Sequence, residues 1–107
     1  MREAQEKVIG GKTYSITPAP ARRAMRVLPL IGKGVFNLSG DESDTLARAL
    51  LEGLSRVDGA ELWPIFDGHF AGDMPALLEV LSFAIEVSTG FKPAADGIEK
   101  VESPSVA

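Results

Sequence analysis

Apolar and polar positions follow two different periods along this chain. In K-V-I-G-G-K-T-Y-S-I, residues 7–16, two β-favouring runs flank Gly10-Gly11. A glycine pair supplies positive φ at both central positions of a two-residue turn, so the stretch predicts a β-hairpin. Pairing across that turn sets Ile9 opposite Lys12 and Lys7 opposite Tyr14. Ile9, Tyr14 and Ile16 then share one face, which should pack on a helix, because a lone hairpin is marginal in water. From Thr17-Pro18 onward the period becomes helical. Ala21, Ala24, Met25, Leu28 and Ile31 form an inner face, with Arg22, Arg23 and Arg26 together outside. Pro29 should end or kink this helix near Leu28. Gly32 to Gly40 reads as a connector with Val35, Phe36 and Leu38 tucked against the core.

A second helix follows, capped by Ser39 or Asp41 with Glu42 and Asp44 in its favourable first turn. Leu46, Ala47, Leu50, Leu51, Leu54 and Val57 fall in one arc. Glu52 and Arg56 form an expected i,i+4 pair, and Asp58-Gly59 is the expected end of the helix. A short helical turn is expected over 60–66.

The final helix dominates the pattern. Asp73 is a ready N-cap, Pro75 suits the first turn, and Gly90 can close the helix in a left-handed conformation. Met74, Leu77, Leu78, Leu81, Ala84 and Ile85 line one face. Ala76, Val80, Phe83 and Val87 form a second apolar strip beside it, leaving Glu79, Ser82, Glu86 and Thr89 as a narrow polar edge. An ordinary surface helix carries one apolar stripe. This helix must lie at the centre of its own core or bury part of itself against another chain. Trp63, Phe66, Phe70, Phe83 and Phe91 add five large aromatics, more than a small interior readily covers. The pattern therefore predicts a partner-binding surface of Trp63, Phe66, Phe70, Val80, Phe83 and Val87. Beyond Gly90, Phe91 can fold back on the helix end. Residues 93–107 lack periodicity and are expected to be disordered. The expected fold is α+β and mainly α: an N-terminal β-hairpin, three main helices and a loose tail, with residues 1–92 as a single domain.

Composition narrows the function. The 107 residues suffice for one core. The chain has no cysteine, which excludes disulfides, thiolate metal sites and a cysteine nucleophile. No apolar run is long enough to span a bilayer, and no signal sequence is evident, so a soluble cytoplasmic protein without membrane attachment is expected. The net charge of −4 disfavours nucleic-acid binding. Charge is unevenly placed: residues 1–35 hold seven Lys/Arg against two Asp/Glu, while residues 36–107 hold four against thirteen. Such a split suits solvated faces of opposite sign or attraction between copies. The Arg22, Arg23 and Arg26 cluster is a candidate charged contact, although a wet helix face is the preferred reading in a chain acidic overall.

Candidate chemistry is sparse. Gly11-Lys12-Thr13 ends like a phosphate-binding loop, but Glu6 stands where the first glycine is needed and no helix follows. Gly32-Lys33-Gly34 lacks both a third glycine and a preceding strand. His69 is the sole histidine, and its spacing from Asp67 and Asp73 matches neither a zinc motif nor a calcium loop. Glu79 and Glu86 read as a solvated edge. No nucleophile motif or triad is evident. The expectation is a non-enzymatic protein without metal or cofactor.

The order of elements resembles a known family. A hairpin on V-I-G-G-K-T-Y-S-I precedes a Pro- and Arg-containing helix and an amphipathic helix. The W-P-I-F-D-G-H-F segment and the long L-L-E-V-L-S-F-A-I-E-V-S-T-G-F helix complete the series. Together, over residues 6–92, these are similar to the tail assembly chaperones of long-tailed bacteriophages and prophages. Many members end the last helix with an Asn-Phe-Gly-like segment, where this chain has Ser88-Thr89-Gly90-Phe91. The resemblance implies a small cytoplasmic protein that coats the long, hydrophobic, helical tape measure protein. It also implies recruitment of tail tube protein, in many phages through a longer frameshifted form. Self-association along a filament would fit the charge split. Rival readings are a head–tail connector or tail completion protein, or a small regulatory, antitoxin-like binding protein.

Overall fold

Two glycines in left-handed geometry, Gly10 at φ 61° and Gly11 at φ 83°, close the first turn. The computed structural model describes residues 3–94 and 97–99 of the chain. Strand β1 (Gln5–Ile9) pairs antiparallel with β2 (Lys12–Ile16) in the expected register, with Lys7 opposite Tyr14 and Ile9 opposite Lys12. Ile9, Tyr14 and Ile16 are all buried on one face, as expected. Helices α1 (Ala21–Met25), α2 (Leu28–Lys33) and α3 (Gly40–Leu51) follow, then strands β3 (Ser55–Val57) and β4 (Ala60–Glu61). The chain continues through α4 (Phe66–His69) and α5 (Met74–Thr89) to a short antiparallel pair, β5 (Lys92–Ala94) and β6 (Gly97–Glu99). The architecture is α+β and mainly helical. Residues 93, 94 and 97–99, expected to be disordered, instead pair as β5 and β6, and the rest of the expected 93–107 tail lies outside the described residues.

Several local expectations are corrected. The second helix does not run to Val57. It stops at Leu51, Gly53 takes φ 75°, and Ser55–Val57 joins the sheet beside β2. Leu54 and Val57 fit the helical arc, but Ser55, Arg56 and Val57 alternate buried, exposed, buried, which is the strand period. Asp58-Gly59 is accordingly a hairpin turn, with φ of 49° and 88°. Positive φ at both residues is the two-residue hairpin geometry that an Asp-Gly pair favours. The sheet therefore has four antiparallel strands in the order β1-β2-β3-β4. The Asp58 backbone N–H donates to the Thr13 carbonyl at 2.8 Å, and its Oδ1 accepts from the Thr13 N–H at 3.0 Å. The Glu52–Arg56 pair is absent. Arg56 donates to the Gly59 carbonyl, and Glu52 meets Arg48 instead.

The end or kink expected near Leu28 is present as a break just before it. The chain breaks at Arg26-Val27 and restarts, with Pro29 in the first turn of α2, where its missing N–H has no partner to lose. The break turns Met25 outward to 61% exposure, although its spacing had placed it inside. Phe36 lies in a 3-10 turn, Val35–Asn37, and is 70% exposed instead of tucked in.

The caps match the residues. Ser39 Oγ accepts from the Glu42 N–H, and the Glu42 carboxylate accepts from the Ser39 N–H, a reciprocal capping box. Lys33 reaches the same carboxylate at 2.8 Å and ties α2 to α3. Asp73 caps α5 through the Ala76 N–H, and Gly90 ends it at φ 82°. Helix α5 packs against α3, α1, β1, β2 and β5. Val80, Leu81, Phe83, Ala84, Ile85 and Val87 are all buried, while Glu79 and Glu86 remain exposed.

Ile85→Ala, at a fully enclosed position, should cost roughly 2–5 kcal/mol in urea unfolding. Ser39→Ala should cost about 1 kcal/mol by loss of the cap. An Ile85→Ala loss no larger than the Ser39→Ala loss would mean that α5 is not central.

Candidate functional site

The expected partner surface divides in two. Val80 is fully enclosed, and Phe83, Val87 and Phe70 are 6%, 8% and 2% exposed. The second strip of α5 is therefore core and offers no free face in the folded monomer. The expectation undercounted the cover. Two additional strands widen the sheet, and α1 and α3 pack on the helix as well. Trp63 and Phe66 remain half-buried, packed on the rim of that core with ring centroids 5.0 Å apart.

The segment holding Trp63 and Phe66 is built as a supported surface. Leu62 at one end is fully buried, and Phe70 at the other is enclosed and stacks on Tyr14. Between them Pro64 pre-sets the 3-10 turn Trp63–Ile65, whose Ile65 N–H bonds the Leu62 carbonyl at 3.0 Å. Phe66 packs edge-on against Phe70 at 5.2 Å. This leaves Ile65 45% exposed and, at the start of α5, Met74 53% exposed. Pro64 and Pro75 are exposed beside them. Neither Ile65 nor Met74 was among the expected site residues. Pro64, in the 3-10 turn before Ile65, was the available signal for Ile65, whereas Met74 carried none because its spacing matched the inner face of α5.

The three arginines separate. Arg23 is partly buried, and its guanidinium donates to the carbonyls of Arg48 and Glu52 at the end of α3. A cation on the last carbonyls of a helix satisfies orphan acceptors and opposes the negative end of the dipole. Arg23 is thus a structural cap. Arg22 and Arg26 stay exposed, with no side-chain hydrogen bond or ion pair among the described residues. Arg48 lies 5.5 Å from the centre of the Trp63 ring and approaches both Asp44 and Glu52. Between α1 and α3 these side chains border a shallow groove of about 370 Å³ floored by Val27 and Ala49.

One polar pair sits beside the aromatic segment. The Tyr14 hydroxyl and His69 Nε2 share a hydrogen bond of 2.8 Å. Burial pushes the Tyr14 phenol above its ordinary value, and the carboxylates of Asp73 and Asp58 push it further the same way. Asp73 and Lys12 help line a small cleft of about 70 Å³ at this point. The described residues hold no group of three potential metal ligands, and none of their helices is long and apolar enough to cross a membrane.

An aromatic surface held from beneath, with charged helix faces beside it, is the equipment of a protein that acts through contacts with other proteins. Comparison with known families specifies which. The family model for phage tail assembly chaperone protein, TAC, matches residues 30–90, more than half of the chain. The chain belongs to that family. The matched span runs from α2 to the glycine that closes α5 and includes the whole 63–75 segment. No curated protein and no solved structure matches the chain.

The raised Tyr14 pKa has a definite consequence. A proton held more tightly in the folded state stabilises it below pH 10.0, the unfolded value, and that stability is lost as pH rises through the folded value. Unfolding free energy should therefore fall above about pH 10. In Tyr14→Phe this alkaline slope should be flatter. At neutral pH the variant should lose about 0.5–1.5 kcal/mol with the hydrogen bond to His69. An unchanged slope in the variant would assign the alkaline loss to other groups.

Proposed function

We propose that this chain is a non-enzymatic chaperone that binds the tape measure protein in the host cytoplasm, keeps it soluble and helps recruit tail tube subunits. The observation that supports this reading most directly is the apolar surface at 63–75, which lies inside the family-matched span and is held in place by buried Leu62 and Phe70. A helical, apolar client needs a complementary apolar face and no catalytic group. Trp63, Ile65 and Phe66 supply that face, and Met74 adds an exposed apolar side chain at the start of α5. Half-exposed aromatics on a rigid support lose little entropy on binding, which suits them as anchors. Exposed Arg22 and Arg26 add a charged contact that tunes encounter more than affinity. Val80, Phe83 and Val87 serve the same function indirectly, as the support on which the fold holds its shape.

Co-expression with the tape measure protein of the same phage tests this reading. The wild-type chain should move the tape measure protein into the soluble fraction. Ile65→Asp combined with Met74→Asp should leave the unfolding curve near wild type and abolish that effect. Phe83→Asp should instead unfold the chain. A tape measure protein that stays insoluble beside the wild-type chain, or is solubilised equally by the double variant, would refute the proposal.

A further inference from the structure

Strand β1 is an edge. Among the described residues β2 is the one strand paired with it, and the opposite edge of the sheet, β4, spans two residues against the five of β1. In a two-residue hairpin the residues flanking the turn, here Ile9 and Lys12, form a mutually hydrogen-bonded pair, and bonding then alternates along the strand. Ile9, Lys7 and Gln5 therefore direct their N–H and C=O groups toward β2. Val8, Glu6 and Ala4 direct theirs outward. The same alternation on β2 turns Thr13 away from β1, and the Thr13 N–H and C=O are indeed engaged by Asp58 at 3.0 and 2.8 Å. The outer edge of β1 is a row of exposed backbone donors and acceptors. It has no proline within it, and Val8 beside it is 65% exposed. Such an edge is a template for another strand.

The side chains select the occupant. We infer that β1 pairs antiparallel with β1 of a second copy about a two-fold axis at Gln5, joining the two four-stranded sheets into one. Edge-facing groups must meet edge-facing groups, which restricts the registers. Centring on Glu6 sets Glu6 opposite Glu6 of the second copy, and centring on Lys7 does the same for the lysines. Like charges directly opposite oppose pairing. Centring on Val8 runs into the Gly10-Gly11 turn after one pair on either side. Centring on Gln5 sets Glu3 opposite Lys7 of the second copy, twice by symmetry, at the non-hydrogen-bonded positions where side chains approach most closely. Ala4 and Glu6 of the two copies then exchange the outward backbone bonds. Lys7 is already directed inward, with its ammonium 5.8 Å from the centre of the Phe83 ring. On an edge strand an inward lysine obstructs indiscriminate pairing. An acidic residue opposite it removes the obstruction, and Glu3 is that residue.

The inference concerns a different surface from 63–75 and stands independently of client binding. Sedimentation of the purified full chain over a dilution series up to about 100 µM should show a monomer–dimer equilibrium, a range that reaches weak edge-to-edge contacts. Glu3→Lys or Lys7→Glu should weaken the dimer by roughly ten-fold or more. Combining the two should restore it, because the pair is re-formed with its signs exchanged. Glu6→Pro removes an outward N–H while sparing the bonds to β2, and should give a monomer with a near wild-type unfolding curve. Because Lys7 also touches Phe83, Glu3→Lys and Glu6→Pro decide the matter if Lys7→Glu impairs folding. A wild-type monomer throughout the series, or a dimer indifferent to Glu6→Pro and Glu3→Lys, would overturn the inference.

Discussion

Burial of α5 is the constraint from which the other features of this fold follow. A helix with two adjacent apolar strips cannot rest on a single surface without leaving one strip in water. The chain meets this by enclosing it. The inner face of β1 and β2 covers one side through Ile9, Tyr14 and Ile16, and α1 and α3 cover another. Ser88, near the end of α5, accepts the Ala19 N–H at 2.9 Å, so a polar side chain of the helix helps to place the segment leading into α1. Full burial of several large side chains, at about 1.5–3 kcal/mol each, is the main favourable term available to a domain of this size.

Enclosure of the helix determines what remains outside. Leu62 and Phe70 are drawn into the core at the two ends of a short aromatic segment, and Pro64 within it sets a tight 3-10 turn. Residues between two buried anchors have limited room to follow them inward. Trp63 and Phe66 stop at the rim, and Ile65 points away. The exposed apolar surface is thus a by-product of good core packing, and it has little freedom to rearrange. That combination suits a protein whose family works through contacts with phage tail proteins.

Electrostatics are largely internal. The surplus of positive charge near the N-terminus and of negative charge beyond it is partly consumed within the monomer. Lys33 binds Glu42 across the α2–α3 junction, and Arg23 caps α3. Arg48 is shared between Asp44, Glu52 and the Trp63 ring. These contacts are short in sequence or run from α1 and α2 to the neighbouring α3. Among the charges left for other molecules are Arg22 and Arg26 on α1, Glu3 and Lys7 at β1, and the Glu79 and Glu86 edge of α5.

Local chemistry alone determined the first hairpin and its register, the Asp73 cap, the glycine end of α5, and the family resemblance carried by the order of these elements, and it narrowed the α3 cap to Ser39 or Asp41. Each depends on residues a few positions apart, so short-range steric and hydrogen-bonding rules are sufficient. The same rules misread Asp58-Gly59 as the end of a helix, since an Asp-Gly pair ends a helix as readily as it turns a hairpin. Tertiary structure resolved it by offering Thr13 of β2 as a partner for Asp58. Tertiary structure also decided that Val80, Phe83 and Val87 are core while Ile65, Met74 and Phe36 are surface. Helical periodicity reports that a face is apolar and is silent on what covers it. The covering elements come from distant parts of the chain, and their number and placement are properties of the whole assembly.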